Sequence, residues 1–279
     1  MASSKTKVIE YLFDKHWDAV RKVLTKTIMT LAEVQRAIRH CNREHGTKLS
    51  DKNPANFMKD VVRGTGASKN WPEKLHALGY TGVQTPGDGN VFEFRKYAPG
   101  QTEAFPDTYT LEQETPTYVV QSVSMPLTAK ALGRSDESWL VQTAVNLRVI
   151  ETHFAVASKV PVVQITHLQM SVKLRKTEID AIFLATCEEN GIRFSAIITC
   201  EAKQARQRIL EQQIIHQVQA AFEETDVDTV IPLALLALRK RGFLIVEFER
   251  VVRAESNSLI SLREASRAAY ELRPPVPGV

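Results

Sequence analysis

Apolar positions change their period along this chain, and the change divides it. In LAEVQRAIRHCNREHG, Leu31, Val34 and Ile38 fall on one helical face, Thr30 and Glu33 stand at capping-box spacing in front, and Gly46 suits the stop. NPANFMKDVVR and NWPEKLHALG read as two more helices, with Pro54 and Pro72 in their first turns. Two short strands, YTGVQ and VFEFRKY, then flank the turn-rich TPGDGN. Residues 1–97 are therefore expected to form a small domain of helices followed by a hairpin.

From residue 98 to 117 the pattern disappears: Pro99, Pro106 and Pro116 punctuate a polar segment, which reads as a linker. Beyond it, residues 118–279 form the second expected domain. SDESWLVQTAVNLRVIETHF predicts one amphipathic helix with Leu140, Ala144, Leu147 and Phe154 on its apolar face. The strand-like VPVVQITHLQMSVKL follows, then two apolar runs in TEIDAIFLATCEENGIRFSAIITCEAK, then the helix QARQRILEQQIIHQVQAAF. TVIPLALLAL and GFLIVEFERVV read as further strands, and a last helix is expected from about Leu259. No repeat at solenoid or propeller period is present. The expected class is α/β (α+β): a mixed central β-sheet flanked by helices, plus a small N-terminal helical domain.

The two apolar runs at 177–203 are hinged at Asn190-Gly191, the dipeptide of a type I′ turn, which needs positive φ at both central residues. With those two residues in the turn, cross-strand partners have numbers that add to 381, so Asp180 faces Glu201 and Glu178 faces Lys203. Two opposed carboxylates repel unless a cation lies between them. A hard divalent ion such as Mg²⁺ suits their oxygens and keeps open positions for a phosphate oxygen and a water, and Lys203 adds a movable charge beside it. A surface pair of Glu178 with Lys203 accounts for those residues singly and leaves the facing acids unexplained.

Composition narrows the setting. With 43% hydrophobic and 24% charged residues, disorder is not the expectation. A balance of 36 Lys plus Arg against 32 Asp plus Glu gives +4, which permits a polyanionic partner without requiring one. Cys41, Cys187 and Cys200 lack metal-ligand spacing, and Cys187 and Cys200 read as buried apolar fillers. The opening MASSKTKVIEY has no signal-peptide core, and VIPLALLAL is too short to span a bilayer, so a cytoplasmic protein without a membrane partner is expected.

An acid followed on the next strand by Glu201-Ala-Lys203, within a helix-strand-strand-strand-helix-strand order over about residues 135–250, resembles the PD-(D/E)XK nuclease superfamily, with Ile179 where the usual Pro stands. The resemblance implies a restriction-endonuclease-like core, Asp180 and Glu201 as Mg²⁺ ligands and Lys203 as the catalytic lysine. An auxiliary acid from the start of the preceding helix falls on Glu137, with Glu151 as its rival. A helper glutamine falls on Gln213, while Arg206, with Arg208 nearby, is placed to contact phosphates. His167 and His216 read as structural donors.

The N-terminal order of helices and hairpin resembles a winged-helix domain. That places its third helix, with Lys69, Asn70 and Lys74, on the side facing the DNA major groove. Together these features imply a Mg²⁺-dependent, sequence-specific endonuclease acting on double-stranded DNA, most similar to type II restriction enzymes and working as a homodimer. A repair, recombination or modification-dependent nuclease of the same superfamily, and a non-catalytic winged-helix regulator, stay open beside it.

Overall fold

In this computed structural model, residues 3–63, 67–85, 89–106, 109–174, 177–205, 207–239 and 242–279 are described, without the side chains at 63, 68 and 69. The chain divides into two units, Met1–Thr108 and Tyr109–Val279, at a point inside the expected linker. The flanks of that segment are packed rather than free. Phe105 meets the Trp71 ring edge-on at 5.1 Å in the first unit, and Tyr109 meets Phe248 at 5.4 Å in the second.

The first unit begins with α1 (Ser4–Asp14), a helix that the pattern above does not single out, which buries Val8, Ile9, Leu12 and Phe13. Short strands β1 (Trp17–Asp18), β2 (Val23–Leu24) and β3 (Ile28–Thr30) lead into α2 (Leu31–His45). The capping box forms as expected: Glu33 N donates to Thr30 Oγ1 at 3.3 Å, and Thr30 N donates to Glu33 Oε2 at 2.9 Å. Gly46 closes α2 at φ 61°, the left-handed region in which a side chain is disfavoured. After α3 (Pro54–Arg63), α4 (Ala67–Asn70) and α5 (Glu73–Ala77) come β4 (Tyr80–Val83) and β5 (Asn90–Lys96). The expected hairpin is thus present, and β3 completes an antiparallel sheet in the order β3-β5-β4.

The second unit runs β6 (Thr117–Gln121), α6 (Leu127–Ala131), α7 (Glu137–Asn146), α8 (Val149–Val156), β7 (Val162–Leu174), β8 (Thr177–Glu189), β9 (Ile192–Lys203), α9 (Glu211–Glu224), β10 (Thr229–Ala237), β11 (Gly242–Phe248), β12 (Val251–Val252) and β13 (Glu264–Arg273). Its mixed sheet has the order β6-β13-β11-β10-β9-β8-β7, with β12 added against β10. β9 and β10 are parallel, because α9 carries the chain back between them. One face packs Ala181, Phe183, Ile198, Cys200, Leu233 and Ile245 against Leu140, Val141, Ile150 and Phe154 of α7 and α8. The other packs Ile182, Ile197, Val230 and Leu244 against Ile214, Val218 and Phe222 of α9. The α/β (α+β) class is therefore as expected: a mixed sheet between helices in one unit, and a small, largely helical unit at the N-terminus.

Two local readings are corrected. The single helix expected over 135–154 is two, separated by Arg148 at φ 52°. An unbroken helix would carry Glu151 on the same face as Leu140, Ala144 and Leu147. The break resets the phase, so that Ile150, His153 and Phe154 are buried while Glu151 meets Arg148 at 3.3 Å. The last helix is instead β13, held antiparallel to β11 and parallel to β6. Ala268, Tyr270 and Leu272 enter the core at every second position, a strand period that its helix-favouring Ala, Glu and Arg content obscures.

A buried polar knot ties α8 to β11 and β13. His153 and Glu247 are both 0% exposed; His153 Nε2 lies 3.2 Å from Glu247 Oε2 and its Nδ1 lies 2.9 Å from Tyr270 Oη. Ser158 Oγ donates to Glu247 Oε1 at 2.8 Å, and Ser266 Oγ donates to Oε2 at 2.6 Å. Burial pushes the Glu247 carboxyl up, but the hydrogen bonds from His153, Ser266 and Ser158 outweigh it and hold the group below its ordinary value.

A carboxyl depressed by folding adds stability above its unfolded pKa and loses it as pH falls through the folded value. Glu247→Gln should therefore lower stability at neutral pH by about 3 kcal/mol and flatten the acid side of the stability curve. Denaturant melts of both proteins from pH 7 down to pH 3 check this, and parallel curves would exclude it.

Candidate active site at the open end of the hairpin

Asn190 at φ 53° and Gly191 at φ 78° make the expected turn. From there the β8–β9 ladder keeps the expected register, running from Glu189↔Ile192 to Ala181↔Cys200. It stops one pair short of Asp180 and Glu201. At that point β8 parts from β9, and β9 continues on β10 alone through Glu201↔Ala234, Ala202↔Leu235 and Lys203↔Leu236. The Asp180 side chain takes over where the ladder ends: its Oδ2 accepts from Ala202 N at 2.7 Å. The facing of Glu178 and Lys203 expected from the register is lost with the ladder. Glu178 is exposed and pairs with Lys173 of β7 instead.

Glu201 lies in a cage of donors. Only 1% of it is exposed; Gln213 Nε2 donates to its Oε1 at 2.5 Å, and Gln217 Nε2 donates to its Oε2. Gln213 and Gln217 stand four residues apart on α9, so both reach the sheet from one helix face. The Lys203 ammonium closes the cage. Its Nζ is 2.6 Å from Glu201 Oε1, 2.9 Å from the Ala202 carbonyl oxygen and 4.0 Å from Asp180 Oδ2. Three oxygens thus converge on one positive charge.

The electrostatics are strained on the acid side. Burial, and then the charge of Glu201, push the Asp180 carboxyl up to about 7, against the pull of Lys203 and the Ala202 N–H. The charge of Glu137, the first residue of α7, adds a smaller upward push. Gln204, which follows Lys203 directly, ties the start of α7 to the end of β9: its Nε2 donates to the carbonyl of Asp136, the N-cap of α7, at 2.8 Å. Glu151, the rival, is engaged with Arg148.

The structure therefore brings together Asp180, Glu201, Lys203 and Gln213, while Glu137 touches none of them and acts on Asp180 through its charge. Among the remaining candidates, Arg206 and the Lys69 side chain lie outside the described residues. Lys74 pairs with Asp14 of α1 at 2.6 Å, both side chains about half exposed, and the Asn70 main-chain carbonyl accepts from Thr6 Oγ1 at 2.8 Å. His216 lies 3.2 Å from Gln212 on its own helix, and His167 packs edge-on to Phe183 at 5.0 Å. All three cysteines are free and buried. Sequence reasoning missed Gln217 and Gln204. A polar residue four places after Gln213, inside the apolar stripe of α9, was the available signal for Gln217.

Among the described residues no group of three or more His, Cys, Asp and Glu is arranged to hold a metal. The donors present are two carboxylates and a main-chain carbonyl. Such an all-oxygen set suits Mg²⁺, which takes a few protein oxygens and keeps its waters, and the buried Oε1 of Gln213, whose Nε2 bonds to Glu201, has no hydrogen-bond partner among the described residues. No family model, no curated protein and no solved structure matches the chain. Among the described residues no helix is long and apolar enough to cross a membrane.

The bond from Asp180 to Ala202 gives the acid a structural share that can be separated from its charge. Asp180→Ala leaves a buried N–H unpaired and should cost about 1–3 kcal/mol, whereas Asp180→Asn keeps an acceptor oxygen and should melt close to the wild type. Thermal denaturation of the two variants tests this; equal losses would show that the bond does not hold β9.

Proposed function

We propose that the chain is a Mg²⁺-dependent endodeoxyribonuclease that hydrolyses phosphodiester bonds of double-stranded DNA, a sequence-specific enzyme of the type II restriction kind that works in the cytoplasm as a homodimer. The observation that carries this reading is the convergence of Asp180, Glu201 and the Ala202 carbonyl on the Lys203 ammonium. It supports the resemblance to PD-(D/E)XK nucleases seen in the order of residues, since the three side chains of that pattern meet at one point.

In this reading Asp180, Glu201 and the Ala202 carbonyl hold the cation, and Gln213 and Gln217 fix the Glu201 carboxylate so that its oxygens need not reorganise during the reaction. When bound, Mg²⁺ polarises the phosphate and lowers the pKa of a water. Lys203, whose ammonium contacts the same oxygens, would orient the attacking water at the scissile phosphate and stabilise charge building on the phosphate oxygens. Glu137, at the first turn of α7, serves in this reading as the auxiliary acid through its charge on Asp180. Two copies related by a twofold axis would cut both strands of a symmetric target.

Lys203→Ala and Asp180→Asn should each lower cutting of plasmid DNA in Mg²⁺ by roughly 100-fold or more while leaving duplex binding in place. Cutting should also stop in excess EDTA. Because Lys203 competes with the cation, Lys203→Ala should bind Mg²⁺ more tightly than the wild type in a calorimetric titration without DNA. Variants that cut at near wild-type rates would remove the reading.

A further inference from the structure

The first unit holds a second site, far more basic than the chain as a whole. Between α1 and α2 lies a cavity of about 550 Å³ whose lining includes Lys15, Arg36, Arg39 and Arg43, with Tyr11, His40, Asn42 and one acid, Asp51. Residues 36, 39, 40 and 43 follow the i, i+3, i+4, i+7 spacing of one helix face, so Arg36, Arg39 and Arg43 form a cationic stripe, with His40 among them, beside the buried stripe of Val34, Ala37, Ile38 and Cys41. Lys15 extends it from the end of α1, and the rings of Tyr11 and His40 stack at 4.1 Å across the two helices.

Helix stability does not account for this arrangement. Like charges three and four residues apart repel, and only the last turn of a helix gains from positive charge through its dipole. That accounts for Arg43 and not for Arg36 or Arg39. Asp51 holds Arg39 at 2.5 Å, and among the described residues no acid pairs with Lys15, Arg36 or Arg43, all of them exposed. With Arg39 answered by Asp51, the exposed charges of Arg36, Arg43 and Lys15 have no such partner among the described residues and are placed for a role outside the helix.

We infer that the α1–α2 cleft binds the phosphate backbone of duplex DNA. The stripe from Arg36 to Arg43 covers about 10 Å of helix at 1.5 Å per residue. Over that length a duplex presents about six charges, which a row of guanidinium groups matches better than a single anion does. The cleft deepens the endonuclease reading by assigning a sequence-independent hold on the substrate to residues remote from Asp180 and Glu201 in sequence. It relies on that reading only for the choice of DNA as the polyanion.

The test measures binding of a fluorescently labelled duplex to the full chain by anisotropy in EDTA, where cutting plays no part, across a salt series. Arg36→Gln combined with Arg43→Gln should weaken binding equally on unrelated sequences and reduce the slope of log affinity against log salt by about 2. Lys15→Gln, on the other helix, should reduce it by about 1, which keeps the test intact if the double variant misfolds. Unchanged affinity and slope would overturn the inference. So would tight binding of inorganic phosphate, AMP or a polyglutamate peptide that these substitutions abolish while duplex binding persists. Salt-dependent duplex binding through these residues in a chain that never cuts DNA in Mg²⁺ would support the cleft and remove the nuclease reading alone.

Discussion

The register of the β8–β9 hairpin is the constraint on which the candidate site depends. Side chains alternate with a period of two along a strand, so a slip of one residue would carry Glu201 and Lys203 to the face of α7 and α8 and bring Ala202 and Cys200 under α9. Asn190-Gly191 sets that register ten residues away from Asp180, through a turn that few other dipeptides make without strain. Apolar burial on both faces then locks it, with Phe183 and Ile198 on one side and Ile182 and Ile197 on the other. At the open end the ladder does not fray into solvent. Asp180 replaces the missing strand bond with its own carboxylate, so the residue that brings charge to the site also fixes the spacing of the strands around it.

A carboxylate as buried as Glu201 is a poor choice for stability alone, since an apolar residue of similar volume commonly serves as well or better than a buried ion pair. Here two glutamines and a lysine are committed to it. The glutamines satisfy both carboxylate oxygens from the α9 side and leave the direction of Lys203 open to a cation. The lysine supplies the countercharge without which Glu201 and Asp180 would repel each other across the divergence. Its position among three oxygens marks a place that stabilises positive charge, which is the property a divalent ion would use.

What was legible in the sequence follows from how local each signal was. The capping box, the Gly46 stop, both hairpins and the register to Ala181↔Cys200 rest on short-range geometry, and all are found. The meeting of Asp180, Glu201 and Lys203 was legible because it sits a few residues beyond such a signal, although the ladder ends before it and the side chains close the gap. Gln217 and Gln204 were not legible, because their roles depend on the packing of α9 and on the approach of α7 to the end of β9. The break at Arg148 and the strand β13 were missed for a related reason. Each follows from which face must be buried against the sheet, and helix propensity points the other way.

Charge shows the same contrast between a sum and a place. A net charge of +4 on 279 residues says little about a partner, because a polyanion responds to the field within a Debye length of about 8–10 Å and not to the total. Docking by analogy points to Lys69, Asn70 and Lys74, yet Lys74 has its charge answered by Asp14. The i, i+3, i+4, i+7 spacing of Arg36, Arg39, His40 and Arg43 was present in the sequence, where it reads as the solvated side of an amphipathic helix. Only the placement of α1, itself missed by the pattern, brings Lys15 and Tyr11 beside that face and turns a solvated side into one wall of a cleft. Positive potential concentrates between two walls of like sign as it does not on a single exposed face.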